Sequence, residues 1–279
     1  MEAESMWGTA DAARHIALPQ EGDDKYTRGV LGLITGSAQY PGAAVLGVEA
    51  AARTGVGMIR YLGSERAQDL ILQRRPEAVM SDGRVQAWLI GSGMDHANRE
   101  PDAERDIAAA LTQNVPLVLD GGALDVVHRV VAPTVITPHY RELARLLGES
   151  IAANPRDWAE SAATQLGCTV LLKGHTSYVS DGSATAAIAA APAWLATAGA
   201  GDALGGILGA LVATHSRAVL EDPTLLVGLA ATASYLHGRA ASLASGGGPL
   251  TILDLCESLS GVVAELVADA AAPDTASPC

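Results

Sequence analysis

The sequence predicts an α/β fold with a largely parallel central sheet and a helical C-terminal third. Short apolar runs bounded by glycine or proline alternate with longer segments of helical periodicity, which is typical of strand–helix–strand units. The chain has 279 residues, 49% of them hydrophobic and 18% charged, so it can bury a large core. Beyond residue 200, the apolar residues recur mainly at helical spacing.

The first two thirds of the chain are expected to supply six strands and five helices. Each strand candidate is a short aliphatic run, and each helix candidate is a longer segment with apolar residues three or four positions apart. The strands are Gly29–Thr35, Met58–Leu62, Ala87–Gly91, Leu117–Asp120, Thr134–Thr137 and Thr169–Lys173. The helices are Ala43–Arg53, Glu65–Arg74, Ala103–Gln113, Arg141–Leu147 and Asp157–Leu166.

The pattern changes after the sixth strand. Two short runs, Ser177–Ser180 and Ala184–Ile188, flank Asp181-Gly182, a dipeptide typical of a β-hairpin turn. Three helices are expected to follow, with a glycine-rich turn at Ser245–Pro249 and a frayed tail after Ala270. These helices are Asp202–Thr214, Pro223–Ala244 and Leu253–Ala270.

Neither a linker nor an internal repeat is visible in the sequence. We therefore expect one domain over residues 1–279, with its core at about residues 27–270 and with flexible ends. The surplus of apolar positions on the last two helices favours packing between subunits, which predicts a homo-oligomer.

The charge of the chain excludes some classes of function. Its net charge is -13, which disfavours general binding to nucleic acids or to anionic membranes. The three cysteines show no metal or disulfide spacing, and the N terminus lacks the pattern of a signal peptide. The most apolar stretch, about residues 186–213, contains Pro192 and Asp202 and does not predict a membrane span. A cytoplasmic protein is expected.

The strongest local signal is the run Ala198–Leu204, in which small residues lead directly into an apolar helix. Glycines let backbone N–H groups converge, and the helix start adds unpaired donors, so this segment suits an oligophosphate. A carboxylate at Asp202 beside bound phosphate is costly unless it acts as a base on a neighbouring hydroxyl. The alternative is that Asp202 caps the helix.

Lys173 stands at the end of the sixth strand, where ligands of parallel sheets gather. Together with Thr176, Ser177 and free backbone amides, it could contact phosphate or ribose. The alternative is a lysine that simply reaches solvent.

Three further polar residues follow strands. His139 lies at the exit of the fifth strand, and Glu142 lies in the first turn of the next helix. Glu142 could anchor a metal-bound water, or only favour the helix dipole. Asp120 could orient water around Mg²⁺ and phosphate, or cap the next turn. The other loops that follow predicted strands also carry small residues, such as Ala43 and Gly93. This pattern favours a single cleft formed by all of these loops.

Taken in order, these segments resemble the ADP- or ATP-dependent NAD(P)H-hydrate dehydratases, a branch of the ribokinase-like superfamily. The resemblance covers about residues 27–244 and rests on an ordered set of motifs. The motifs are Ser37 with Tyr40–Ala44, Arg53–Gly57, Gly91-Ser92-Gly93, Leu119-Asp120, Thr137-Pro138-His139 with Glu142, Leu172-Lys173-Gly174 and Ala196–Asp202.

The resemblance implies a three-layer α/β/α fold and repair of a damaged cofactor. The S epimer of NADHX or NADPHX would be returned to NADH or NADPH, with a nucleotide and Mg²⁺ activating the ring hydroxyl as a phosphate leaving group. Asp202 would be the catalytic base, and Ala43, Gly93, His139 and Asp202 would contact the substrate. The anion hole would be Gly199, Ala200 and Gly201, and the nucleotide would be held by Lys173, Gly174, His175, Thr176, Ser177 and Gly201.

The sequence also departs from the family pattern. Gly122 stands where a second aspartate is common, and Asp95 stands where a glycine is common. Fewer than 30 residues precede the first strand, too few for the epimerase domain that many relatives carry, so we expect that epimerase on a separate chain. Relatives of this family form tetramers, which makes a tetramer the expected oligomer.

Two other functions stay open on the sequence alone. A ribokinase-like kinase of a thiazole or hydroxymethylpyrimidine alcohol would use a similar glycine-rich helix start with Asp202. A non-catalytic nucleotide-binding protein would account for Gly122 and Asp95. The Thr137–His139 and Pro41–Ala44 segments favour the dehydratase.

Overall fold

The computed structural model describes residues 5–189 and 191–271, which form one eight-stranded sheet with helices on both faces. The strand order is β2-β1-β3-β4-β5-β6-β7-β8. Strands β1 to β6 run parallel, and β7 and β8 form the antiparallel hairpin. The strands are β1 Val30–Ile34, β2 Met58–Leu62, β3 Ala87–Ile90, β4 Leu117–Leu119, β5 Thr134–Ile136, β6 Thr169–Leu172, β7 Ser177–Ser180 and β8 Thr185–Ile188.

The described residues form ten α-helices, of which the last four make up the C-terminal third. Two 3₁₀ segments, Gly121–Arg129 and Ala193–Leu195, lie between them. The helices are α1 Thr9–Ala13, α2 Pro41–Thr54, α3 Glu65–Arg74, α4 Pro101–Leu111, α5 Tyr140–Leu147, α6 Pro155–Leu166, α7 Ala200–Thr214, α8 Ser216–Glu221, α9 Leu225–Ser245 and α10 Ile252–Ala271. The predicted α/β/α class, the parallel sheet and the helical C-terminal third are confirmed.

Alternate residues of each strand enter two separate cores. On β1, Leu31 and Leu33 join the core formed with α2, α7, α9 and α10. Val30 and Ile34 join the opposite core, which α4, α5 and α6 close. This alternation follows from the two-residue period of a strand. Because both faces of each strand are buried, each strand appears in the sequence as a continuous apolar run.

Some boundaries differ from the prediction. Helix α7 begins at Ala200 rather than Asp202, so the glycine-rich run forms its first turn. The predicted helix Pro223–Ala244 begins two residues later and is preceded by α8, which was not predicted. The segment after β4, Gly121–Arg129, winds into 3₁₀ turns. The predicted tail lies, from residue 272 onward, outside the described residues.

The N-terminal segment belongs to the packed structure. Met6 bridges to Ala187 of β8, Trp7 Nε1 donates to Thr232 Oγ1 at 3.3 Å, and Ala12 is fully buried. Packing therefore begins well before residue 27, which corrects the start of the core given by the sequence. No helix within residues 5–189 and 191–271 combines the length and the apolar character of a membrane span.

The strand order positions the site. β1 pairs with β2 on one side and with β3 on the other, so the connections leave in opposite directions at this point. Such a reversal opens a crevice outside the carboxyl ends of the strands. The loops after β1 and β3 meet there, where the Gly36 N–H donates to the Ser92 carbonyl at 2.7 Å.

Candidate active site

A buried ion pair joins the ends of two strands that are not neighbours. Asp120 follows β4 and is 4% exposed, and its Oδ1 accepts a hydrogen bond from Lys173 Nζ, after β6, at 2.8 Å. The same carboxylate accepts from Ser92 Oγ at 2.9 Å and from Thr137 Oγ1 at 2.7 Å. Burial favours a higher pKa for Asp120, but Lys173 and the two hydroxyls outweigh it and hold that pKa below its ordinary value. Asp120 therefore stays ionised.

Lys173 is directed into the site and not toward solvent. Its ammonium lies 4.0 Å from Glu142 Oε2, and a Cβ atom added to Gly201 would lie 3.6 Å from Nζ. Burial favours a lower pKa for Lys173, yet the charges of Asp120, Glu142 and Asp202 raise it. The alternative of a solvent-reaching lysine is wrong, and a fixed positive charge stands beside the start of α7.

The start of α7 has the geometry of an anion site. Gly199 takes a left-handed conformation, with φ of 93°, before the first helical turn. The N–H groups of Gly201 and Asp202 make no hydrogen bond within residues 5–189 and 191–271. Free amides at a helix N terminus attract negative charge. Of the predicted anion hole, Gly201 thus offers a free donor, whereas the Ala200 N–H donates to the Thr197 carbonyl at 3.4 Å.

Asp202 is the third residue of α7, and its carboxylate makes no hydrogen bond to any described residue. The capping alternative is therefore wrong, because a capping carboxylate would accept a backbone N–H. Burial, and then the charge of Asp120, raise the pKa of Asp202 to about 6, although Lys173 acts in the opposite direction. A carboxylate with this pKa can accept a proton near neutral pH.

His139 and Glu142 form a capping box at the start of α5. His139 Nδ1 accepts from the N–H groups of Arg141 at 3.1 Å and Glu142 at 3.2 Å. Glu142 Oε2 accepts from the His139 N–H at 2.8 Å. Since Nδ1 is an acceptor, the neutral ring carries its proton on Nε2. The His139 backbone bridges to Lys173, so the predicted substrate-binding residue adjoins the ion pair.

Ala43 and Gly93 are in contact at the crevice between β1 and β3. Gly93 has φ of 69°, and a Cβ atom there would lie 2.3 Å from the Cβ of Ala43. Position 93 therefore accepts glycine alone without movement of α2. The structure brings these two predicted substrate contacts together.

Two cavities flank Lys173 and Glu142. The larger one, here called the α5 cavity, has a volume of about 720 Å³, and the other, the α9 cavity, has a volume of about 390 Å³. The α5 cavity is lined by Tyr40, Met94, Asp95, Gly122, Glu142 and Arg145, among others. The α9 cavity is lined by Lys173, Pro192, Leu195, Gly201, Ser234 and His237, among others.

Some of the predicted site residues line the α9 cavity, and others line neither cavity. Gly174, His175 and Ser177 line the α9 cavity with Lys173 and Gly201, but Thr176 is not in its wall. Gly199 packs toward Leu46 and Ile252, and Ala200 and Gly201 reach the cavity. Ala43, Gly93, His139 and Asp202 lie in neither wall.

The sequence reasoning missed several side chains that contact Asp120 or line the α9 cavity. Ser92 and Thr137 stand inside quoted motifs, but their hydrogen bonds to Asp120 required the strand order. Ser234 and His237 lie on α9, where the sequence shows only helical periodicity. No local sequence signal marks them.

The two departures from the family pattern have structural consequences. A Cβ atom at Gly122 would lie 2.4 Å from the Met94 carbonyl oxygen, so the loop after β3 occupies the place of a side chain. Asp95 closes its own loop by accepting from Ala97 N–H at 3.0 Å and Asn98 Nδ2 at 2.7 Å. Both residues lie at the α5 cavity.

A protein-made metal cage is not found in the described part of the chain, where no group of three His, Cys, Asp or Glu side chains could hold an ion. Both oxygens of Asp120 accept hydrogen bonds from described residues, and the water-orienting role around Mg²⁺ that the sequence suggests for Asp120 stays a prediction. Asp120 positions Lys173, and Glu142 is the carboxylate nearer to open space.

Comparison with known proteins gives consistent matches. Residues 31–254 match the family model described as NAD(P)H-hydrate dehydratase. A bifunctional NAD(P)H-hydrate repair enzyme of Mycobacterium leprae is 38% identical over 249 residues, which cover 85% of this chain and 50% of that protein. The chain thus spans about half the length of the bifunctional relatives that it matches.

An ADP-dependent (S)-NAD(P)H-hydrate dehydratase of Neisseria meningitidis is 30% identical, and the match covers 91% of this chain and 86% of that protein. Among solved structures, the ADP/ATP-dependent NAD(P)H-hydrate dehydratase of Bacillus subtilis, co-crystallized with ATP and Mg²⁺, has a TM-score of 0.82 at 25% identity. That match covers 95% of this chain and 100% of the other. The ribokinase-like three-layer fold that the sequence predicts is confirmed.

Proposed function

The chain belongs to the NAD(P)H-hydrate dehydratase family, and we propose that it is a lyase that returns the S epimer of NADHX or NADPHX to NADH or NADPH with consumption of ADP or ATP. The observation that carries this proposal is Asp202, an unpaired carboxylate whose pKa is raised to about 6 at the open start of α7. Lys173 stands beside it.

The reaction has two steps. In the first, Asp202 accepts the proton of the ring hydroxyl as the hydroxyl oxygen attacks the terminal phosphorus of the nucleotide, and AMP or ADP departs. In the second, the carbon–oxygen bond breaks, phosphate leaves with the electron pair, and the adjacent ring carbon loses a proton to restore the double bond. Phosphoryl transfer of this kind needs positioning and anion stabilisation above all.

Residues at the start of α7 and between β6 and the start of β7 would bind the nucleotide. The amides of Gly199, Ala200 and Gly201 would form the anion hole for the transferred phosphate. Lys173, Gly174, His175, Thr176 and Ser177 would bind the rest of the nucleotide, with Lys173 as the fixed cation. The ion pair with Asp120 fixes the position of the Lys173 ammonium. The ammonium therefore does not need to move during the reaction.

The substrate would lie on the other side of Lys173. Ala43, Gly93 and His139 would contact the hydrated nicotinamide ring, and the proton on His139 Nε2 supplies a donor. The α5 cavity, at about 720 Å³, suits the larger dinucleotide better than the α9 cavity.

Mg²⁺ fits these residues as an ion held mainly by nucleotide phosphates. Magnesium commonly takes one or two carboxylates, several waters and phosphate oxygens, and does not need a full cage of side chains. Glu142 would contact it through water, and Mg²⁺ would neutralise charge on the phosphates.

The experiment that tests the proposal is the recovery of near-ultraviolet NADH absorbance from NADHX, with Mg²⁺ and either ADP or ATP. Recovery that requires a nucleotide supports the dehydratase and identifies the donor. A stable phosphorylated product without release of phosphate would instead indicate a kinase. Bound nucleotide without turnover would indicate a non-catalytic protein.

Further expectations follow from the same proposal. The chain would act as a single catalytic domain in the cytoplasm, as a homo-oligomer and specifically a tetramer. Because the S epimer alone is consumed, an epimerase would supply it from the R epimer. Sedimentation at micromolar concentration tests the tetramer, and a monomer alone would contradict it.

A further inference from the structure

Glu49 is a buried carboxylate on α2 that the proposed reaction does not use. It is fully buried, and three arginines surround it. Arg53 Nε and Arg75 Nη2 each donate to its Oε1 at 2.7 Å, and Arg74 Nη2 donates to the same oxygen at 3.3 Å. Burial favours a higher pKa for Glu49, but the hydrogen bonds from the arginines, that from Arg75 above all, lower it to about 2. The ionised carboxylate therefore joins α2 to the end of α3.

The same arginines also reach α10. Arg74 Nη2 lies 3.3 Å from Glu257 Oε1, and Arg53 Nη1 donates to the Glu257 carbonyl at 3.5 Å. Ser260 Oγ donates to the Arg53 carbonyl at 3.2 Å. Three helices thus meet at one buried carboxylate. The Glu49 cluster, as it is called below, consists of Glu49, Arg53, Arg74, Arg75 and Glu257.

Helices α2 and α10 form the wall behind the start of α7. A Cβ atom added to Gly199 would lie 2.6 Å from Leu46 Cδ1 and 3.3 Å from Ile252 Cγ1. Gly199 has the left-handed φ of 93°, so these two side chains pack against the residue that sets the direction of the first turn of α7. Leu46 lies three residues before Glu49 on α2, and Ile252 is the first residue of α10. The Glu49 cluster therefore ties together the two helices that carry these side chains.

Helix α2 also touches α7 through backbone atoms. A Cβ atom at Gly47 would lie 3.6 Å from the Asp202 carbonyl oxygen, and one at Gly206 would lie 2.2 Å from the Gly47 carbonyl oxygen. Helices packed this closely have no layer of side chains between them that could absorb a movement of α2. A shift of α2 would thus pass directly to the first turn of α7, where Asp202 lies.

We propose that Glu49 is a positioning residue for phosphoryl transfer, because it gathers three arginines and so holds α2 and α10 against the start of α7. This inference rests on the proposed function, since it takes the transferred phosphate to lie at α7. Glu49 acts through Leu46, Gly47 and Ile252 and not by contact with the reacting atoms. The anion hole and Asp202 act mainly in the transition state, so a displaced α7 should reduce kcat more than nucleotide binding.

Glu49→Gln tests the proposal, because the amide keeps the size of the side chain but cannot neutralise the three arginines. NADH recovery should show kcat lowered about tenfold or more, since a misplacement of about 1 Å can cost about 10²-fold in rate. Calorimetric titration should show that the affinity for ADP changes less than about threefold.

Two control variants separate positioning from stability. Glu77→Gln removes an exposed carboxylate 3.3 Å from Arg75 and should leave kcat unchanged. Ile107→Ala opens a cavity on α4, in the core on the opposite face of the sheet, and lowers stability there. It should also leave kcat unchanged at a temperature where the protein is folded.

A double-mutant cycle with Leu46→Ala tests the path from Glu49 to Gly199. If Glu49 acts through Leu46, the two substitutions together should lower kcat clearly less than the product of their separate effects. Amide hydrogen exchange in residues 198–204 gives a readout that needs no turnover. It should be faster in Glu49→Gln than in the unmodified protein, and it should be unchanged in Glu77→Gln and Ile107→Ala.

Several outcomes would overturn the proposal. Normal kcat and normal exchange in a folded but less stable Glu49→Gln protein would show that the Glu49 cluster only stabilises the fold. An equal fall of kcat in Ile107→Ala would show the same, and independent effects of Glu49→Gln and Leu46→Ala would contradict the path through Leu46. If Glu49→Gln does not fold, Arg53→Gln, which removes one of the three arginines, must lower kcat in the same selective way.

The failure of this inference and that of the proposed function are distinguishable. If the unmodified protein does not restore NADH, but Glu49→Gln speeds exchange at the start of α7, only the dehydratase reaction is contradicted. If the unmodified protein restores NADH, and Glu49→Gln changes neither kcat nor exchange, only the role of Glu49 is contradicted. If NADH is not restored and exchange is unchanged, both are wrong.

Discussion

Lys173 Nζ lies 4.0 Å from Glu142 Oε2, although the two side chains line different cavities. The wall between the α9 cavity and the α5 cavity therefore contains a positive charge held 2.8 Å from the buried Asp120. Both charges also act on Asp202: the charge of Lys173 lowers the pKa of Asp202, and the charge of Asp120 raises it. The positive charge of Lys173 thus interacts with the negative charges of Asp120, Glu142 and Asp202 at the place where the proposed substrates meet.

We predict that Asp202→Asn abolishes turnover and leaves nucleotide binding within a few-fold of the original value. The amide cannot accept the hydroxyl proton, a loss of about 10²- to 10⁴-fold in kcat, while the α7 amides and Lys173 remain. NADH recovery and ADP titration measure the two effects. Retained activity would remove Asp202 as the base, and joint loss of binding and folding would make it a structural residue.

We predict that kcat falls as the pH is lowered through about 6. Asp202 must be ionised to accept a proton, and its pKa is raised to about 6. Below that pH, each further unit should reduce kcat about tenfold. A pH–rate profile measured at saturating nucleotide and NADHX checks this, and a flat profile between pH 5 and about 8 would contradict the assignment.

We predict that Asp202→Asn increases the free energy of unfolding at pH 8 by about 1–3 kcal/mol. The folded-state pKa of about 6 lies above the ordinary value of 3.8, so this carboxyl contributes stability below pH 4 that is lost as the pH rises through 6. An amide avoids that loss because it has no charge. Urea denaturation at pH 8 and at pH 4 measures the difference, which should be small at pH 4. A destabilised variant at pH 8 would show that ionised Asp202 is stabilised in the folded state.

We predict that Lys173→Met weakens ADP binding and lowers the free energy of unfolding by about 3 kcal/mol. The variant leaves Asp120 buried without its counter-charge, which is the costly way to break a buried ion pair. Lys25, the other lysine of the sequence, is exposed, and Lys25→Met is the matched control. Adding Asp120→Asn to Lys173→Met should restore part of the stability. Unchanged ADP affinity in Lys173→Met would contradict the nucleotide role.

We predict that Gly122→Ala lowers the free energy of unfolding by about 1–3 kcal/mol, because its Cβ would meet the Met94 carbonyl oxygen at 2.4 Å. The matched control is Gly261→Ala in α10, where nothing lies within 4 Å of an added Cβ and alanine favours the helix. Chemical denaturation measures both variants. If Gly122→Ala were as stable as the original chain, this loop would have room for the acidic residue that is common in the family.

The local elements were predictable because their signals are local. Alternating apolar runs and helical periodicity place the six parallel strands, and Asp181-Gly182 places the hairpin, since each pattern depends on neighbours a few residues apart. The glycine-rich run likewise predicted a helix start, and the structure begins α7 at Ala200 after the left-handed Gly199. α8 was missed because a six-residue helix carries too little periodicity to separate it from α9.

The sequence by itself determined the fold class and the family, and it predicts the residues of an anion site. Only the tertiary structure decided that Asp120 pairs with Lys173, 53 positions away, because this contact depends on β5 lying between β4 and β6. Only packing decided that Asp202 has a raised pKa and that His237 is buried at the wall of the α9 cavity. Burial and long-range charge are properties of the assembled chain, so no local pattern of residues carries them.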